Sequence, residues 1–141
     1  MYLLEGVCPE GFAAHHGAVL KPDFVVVDTV GRSVTILDVA ITFEDGHNNS
    51  FRTCRQYKKT KYQPLKDWYE AQHPGWTVTV DAVVYGSLGS VDAANGPVYS
   101  QLGLLRSYVN KMENFAAVDC VRWSRRIWGA FRAGSSRRGV A

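Results

Sequence analysis

The fold this sequence predicts is an α/β domain, a mixed sheet flanked by helices. Three observations carry it. Two valine-rich runs bracket a tight turn at Gly31-Arg32, a helical stretch stopped by Pro74-Gly75 leads into a third valine-rich run, and the remaining chain has helical spacing. With 141 residues there is room for one domain. Hydrophobic residues make up 46% and charged residues 21%, which supplies a core and excludes disorder over most of the chain. The longest purely apolar runs are only a few residues, such as Phe24-Val25-Val26-Val27, so no bilayer span and no membrane partner are predicted. No basic stretch followed by a long apolar one opens the chain, so no secretory signal is expected. Cys8, Cys54 and Cys120 are odd in number and far apart, which predicts buried thiols in a reducing, intracellular setting.

Taken in order, residues 1–20 lack a period and read as an irregular lead-in, with room for a short helix near 12–16. Lys21-Pro22 forces extended backbone. Asp23–Val30 and Ser33–Phe43 form a β-hairpin about Gly31-Arg32. Asn49 or Ser50 starts a helix running to about His73, which Pro64 kinks or splits. Trp76–Tyr85 is a strand that joins the sheet by a crossover, parallel to an earlier strand. A loop with three glycines follows over 86–96, and it lacks the Gly-Lys-Ser/Thr of a nucleotide-binding loop. Two helices are expected, Val98–Phe115 and Val118–Phe131, and then a flexible basic tail over 133–141. The domain proper spans 21–132.

Net charge is +3, but its distribution is uneven. Arg52, Arg55, Lys58, Lys59, Lys61 and Lys66 form one acid-free basic block, and the six arginines from Arg122 to Arg138 form another. Two readings stand: contacts to a polyanion, or two solvated helix faces. Trp123 and Trp128 among Arg122, Arg125, Arg126 and Arg132 have the same two readings.

The chemistry concentrates elsewhere. With the hairpin turn at 31–32, opposed positions sum to 62 or 63, so Asp23 faces residues 39–40, next to Asp38. Strand interiors disfavour aspartate, and two neighbouring carboxylates repel unless a cation joins them. They are either strand-end aspartates or ligands of a hard divalent ion. At about 100° per residue, Phe51, Cys54, Tyr62, Leu65 and Tyr69 share one helical face. Lys58 lies in the middle of that face and Lys61 on its margin. A lysine there either snorkels to solvent or meets an anion. His15 and His16, upstream of the core, and Glu44, just past the second strand, read as surface residues or as outlying substrate or metal contacts. Tyr62 reads as core or as a phosphate contact.

Pro22-Asp23, then Asp38, then a lysine resembles the PD-(D/E)xK arrangement of restriction-like endonucleases. The general motif has its lysine two residues after the second acid, where this chain has Ala40. The restriction-like endonuclease domain of site-specific non-LTR retrotransposon proteins is similar in the same departure. It carries Lys-Pro-Asp, a strand ending Leu/Val-Asp-Val, a Glu shortly after, and a helix with Lys-x-x-Lys-Tyr-x-x-Leu. This chain has Lys21-Pro22-Asp23, Leu37-Asp38-Val39, Glu44 and Lys58-Lys59-Thr60-Lys61-Tyr62-Gln63-Pro64-Leu65. The segment Val80-Asp81-Ala82-Val83-Val84-Tyr85-Gly86 is similar to the strand that follows, and the likeness runs over about 21–90.

The resemblance implies a restriction-endonuclease-like fold and a Mg²⁺ (or Mn²⁺) held by Asp23, Asp38 and the Val39 carbonyl. It implies catalysis by Lys58, with Lys61 the runner-up. Arg52, Arg55, Lys59, Lys61, Tyr62, Arg122, Arg125 and Arg126 would contact DNA. The implied task is nicking target DNA in the nucleus to prime reverse transcription, beside a reverse transcriptase domain and element RNA, with dimerisation open. A non-catalytic nucleic-acid-binding module of the same fold, or a cellular nuclease such as a junction resolvase, are the other readings.

Overall fold

The computed structural model describes residues 1–9, 11–12, 19–45 and 49–136. His15 and His16, most of the short helix expected over 12–16, and the last residues of the tail lie outside them. Four strands form one sheet in the order β1-β2-β3-β4: β1 Tyr2–Glu5, β2 Phe24–Asp28, β3 Ser33–Thr42 and β4 Thr77–Gly86. β1, β2 and β3 run antiparallel, and β4 lies parallel to β3 after the crossover. The expected α/β class and mixed sheet are therefore present.

The hairpin forms in a shifted register. Phe24 pairs with Leu37 and Asp28 with Ser33, so opposed positions sum to 61. The reason is a four-residue turn. The Asp28 carboxylate accepts the Val30 N–H at 3.1 Å, and Arg32 takes a left-handed φ of 49°. Gly31 fits because a Cβ there would lie 2.5 Å from the Asp28 carboxylate.

β1 corrects the reading of residues 1–20 as an irregular lead-in. It pairs with β2 from Tyr2↔Val27 to Glu5↔Phe24. Only Leu4 of its four residues is even half-buried, so no alternation marks it in the sequence.

The long helix splits as Pro64 requires. α1 spans Ser50–Lys61 and α2 spans Gln63–Gln72, with Tyr62 between them at φ −96°, ψ 6°. Pro64 lies in the first turn of α2, where its missing N–H costs nothing. Asn49 occupies the cap position of α1, but its side chain makes no capping bond. Tyr62, Leu65 and Tyr69 are buried with Val34, Ile36, Val25, Val27, Val78 and Phe12 on one face of the sheet.

The opposite face buries Leu37 and Val83 against Val98 and Tyr99 of α3 (Asn95–Gln101) and Val109 of α4 (Arg106–Ser136). This division differs from the two helices expected over 98–115 and 118–131. Gly103, at φ 70°, breaks the chain early, and Ala116-Ala117 at the expected break carry the helix through. A half-buried stripe of α4 runs through Val109, Glu113, Ala116, Ala117, Cys120 and Ser124. Ile127, Trp128 and Phe131 continue it as exposed residues. No helix among the described residues is long and apolar enough to cross a membrane.

Candidate active site

The site forms where β2 begins, β3 passes and α1 crosses above them. Buried Pro22 fixes the approach to β2, and the Asp23 carboxylate turns across the hairpin to accept the Val39 N–H at 2.6 Å. Asp38 is one residue earlier on β3 and only 4% exposed. It shares the α1 side of the sheet with Ala40, whereas Val39 points away. One oxygen, Oδ1, accepts the Tyr62 hydroxyl at 2.8 Å, a proton shared with the Lys21 carbonyl at 3.0 Å. The other, Oδ2, is buried and meets the Lys58 ammonium as an ion pair.

Lys58 thus takes the carboxylate alternative to snorkelling. Burial pulls its ammonium down, but the hydrogen-bonding and charge of Asp38, helped by the charge of Asp23, more than offset this and leave it above the ordinary lysine value. Burial, then Asp38, then Asp23 likewise push the Tyr62 hydroxyl well above its usual range. Asp23 and Asp38 therefore act on the same two groups. Lys61 approaches from outside, donating to the Tyr62 hydroxyl at 3.1 Å, and its ammonium lies 4.7 Å from that ring.

The other residues singled out in the sequence separate into three places. Arg55 and Lys59 point to β4. Arg55, whose side chain is 11% exposed, reaches Asp81 at 2.8 Å, the Ala82 carbonyl, Asp92 at 2.8 Å and Asn95 at 2.7 Å. Lys59 joins Asp81 at 3.2 Å. Arg52 is solvent-exposed on α1. Arg122, Arg125 and Arg126 are exposed on α4, which packs on the opposite side of the sheet from Asp38. There Arg122 pairs with Asp119 at 3.4 Å and Arg126 lies 5.2 Å over the Trp123 ring. The Glu44 carboxylate folds against Gly86, where a Cβ would fall 1.9 Å from it. Gly86 is four residues beyond the rung of Asp38, about 13 Å along the strand. Glu44 does not join the two aspartates.

Sequence reasoning missed the Asp81–Asp92–Asn95 cradle around Arg55. Its signal was Asp81 in the middle of a valine strand, the same oddity that marked Asp38. Among the described residues no three His, Cys, Asp or Glu side chains gather as a metal site, so the donors at hand are two carboxylates and backbone oxygens. The chain matches no protein-family model and no curated protein.

A pH dependence follows from the buried hydroxyls. Burial pushes Tyr69 up to about 12, and burial with the Tyr85 hydroxyl raises Tyr99. Tyr62, Tyr69, Tyr99 and Lys58 all bind their protons more tightly folded than unfolded. Their contribution is complete below the unfolded values near pH ~10 and is lost as pH rises through the folded ones. Urea midpoints should fall steeply between about pH 10 and 12; a midpoint that holds or rises there contradicts the assignment.

Proposed function

We propose that this chain is a restriction-like, metal-dependent DNA endonuclease domain that hydrolyses one phosphodiester bond of its target. By the resemblance of its motifs, it is the nicking domain of a site-specific non-LTR retrotransposon protein, working in the nucleus with a reverse transcriptase domain and element RNA. The observation that carries this reading is the meeting of Asp23, Asp38 and Lys58 at one end of the hairpin. The chain has no lysine at the usual position, and one from the following helix reaches the second acid instead.

The donor set suits a hard cation. Asp38 is a buried carboxylate, an arrangement favoured only beside positive charge, and at Oδ2 the Lys58 ammonium already supplies it. Asp23 and Asp38 would hold Mg²⁺ (or Mn²⁺), with the Val39 carbonyl as a further oxygen. Such an ion would polarise the scissile phosphate and neutralise its charge. Tyr62 holds Asp38 in one rotamer through Oδ1. Lys58 orients the attacking water and stabilises the charge that grows on phosphorus. Lys61, Arg52 and the arginines of α4 would hold the DNA backbone by charge, largely without reading sequence.

The test is relaxation of supercoiled plasmid by purified protein with Mg²⁺ and with EDTA. Equal relaxation in both excludes the reading. Comparing linear duplex with four-way junctions separates a retrotransposon nickase from a resolvase. A second reading is favoured by one observation: Lys58 already neutralises Asp38 without a metal. A non-catalytic binding module would bind DNA in a salt-dependent, EDTA-insensitive way and cut nothing. If Arg122, Arg125 and Arg126 neutralise phosphates, replacing all three with alanine lowers the slope of log affinity against log salt by about 0.9 for each phosphate no longer neutralised. An unchanged slope in a filter-binding titration removes α4 from the interface.

A further inference from the structure

Lys58 meets Asp38 only if α1 sits on the sheet with the right rotation and slide. Apolar packing does not ensure that. α1 has no fully buried residue. It touches the sheet through half-buried Phe51 and Cys54 against the small side chains of Ala40, Ala82 and Val84. Such contact is non-directional.

Buried Tyr62, bonded to Asp38, fixes the C-terminal end of α1, and Arg55 supplies direction at its middle. It lies three residues before Lys58, on the neighbouring turn. Its planar, five-donor group meets acceptors from three elements: Asp81 and the Ala82 carbonyl on β4, Asp92 in the following loop, and Asn95 at the start of α3. The anchor is also in register with the site, because Ala82 is the β4 partner of Asp38. The path from Asp38 across one rung to Ala82, up to Arg55 and along one turn to Lys58 closes on itself. Two carboxylates surround Arg55 and Lys59 joins one of them, so the group has little charge left for a polyanion.

We propose that Arg55 is a positioning residue of the candidate nuclease site, setting α1 on β4 so that Lys58 reaches Asp38, and that it does not contact DNA. The catalytic half of this inference rests on the endonuclease reading; the structural half does not.

Arg55→Lys keeps the charge and loses the fork. Single-turnover nicking at saturating plasmid should fall roughly tenfold to a hundredfold, the effect expected from slight misplacement. Affinity for plasmid in EDTA should stay within about twofold. Arg55→Lys combined with Lys58→Met should nick no more slowly than Lys58→Met alone. Multiplying rate losses, or lost affinity with an unchanged rate, overturn the proposal. A second readout needs no activity. The ¹⁵N-edited NMR signal of the Lys58 ammonium paired with Asp38 should vanish in Arg55→Lys while sheet amide signals persist; an unchanged signal overturns the proposal. If Arg55→Lys does not fold, Asp92→Asn, which removes one charged acceptor and keeps its shape, should weaken the same signal, and its failure to do so counts equally against the proposal. Should wild type cut no DNA, the endonuclease reading falls, and the ammonium signal alone decides whether Arg55 positions Lys58.

Discussion

On the endonuclease reading, Asp38→Ala should slow nicking by on the order of a thousandfold, and it should also destabilise the metal-free fold. The second result is the less obvious one. A pair of carboxylates kept for a cation ordinarily repels in the cation's absence, so deleting one relieves strain. Here the Lys58 ammonium already stands against Asp38, and the Tyr62 hydroxyl donates to its other oxygen. Removing the carboxylate leaves a half-buried ammonium without its partner. Breaking a buried pair costs about 3–5 kcal/mol, and Lys58, with 21% of its side chain exposed, recovers part by swinging to solvent. A loss of about 2–3 kcal/mol is expected. Thermal denaturation in EDTA reads it directly: a rise in Tm on Asp38→Ala would mean that repulsion with Asp23 dominates. Asp38→Asn, which keeps an acceptor for Tyr62 but drops the charge, should fall between alanine and wild type in stability and match alanine in activity.

Arg55→Met has the larger effect on stability, about 3–5 kcal/mol. The substitution preserves bulk and removes the cation paired with Asp92, while Asp81 keeps Lys59. It also strips partners from the Ala82 carbonyl and the Asn95 side chain. Against a typical total of roughly 5–15 kcal/mol, this brings the domain near unfolding. Arg52→Met, one turn earlier on the exposed side, should stay within about 0.5 kcal/mol of wild type. Urea denaturation of the pair distinguishes a structural arginine from a surface one. Equal midpoints would show that the cradle contributes little.

What the sequence made legible is what local chemistry writes. The valine runs, Gly31, Pro64 and Pro74-Gly75 marked the hairpin, the split helix and the crossover strand. Asp38 and Lys58 stood out as charges among apolar neighbours, and each turned out to be the other's partner. The register slipped by one or two residues because nothing in Gly31-Arg32 announces that Asp28 closes a four-residue turn. β1 was invisible because one inward residue makes no pattern. In the sequence Arg55 stands as a DNA contact within a basic block, because its partners lie 26, 37 and 40 residues away and leave no local pattern. The break at Gly103 escaped notice because helical spacing runs through it.

Asn95 holds both backbone groups of Val84: its amide donates to the Val84 carbonyl at 2.9 Å and accepts the Val84 N–H at 2.9 Å. Asp92 adds its own N–H to that carbonyl at 3.2 Å, and Arg55 takes the carbonyl of Ala82. A side-chain amide has the donor–acceptor geometry of a peptide group, so Asn95 acts as a one-residue imitation strand along the outer edge of β4. An open edge is a template on which other chains grow sheet. In this molecule the C-terminal half of that template is already taken. Self-association by strand addition is steered away from the flank beside Asp38, toward the N-terminal half of β4 or the short β1 edge.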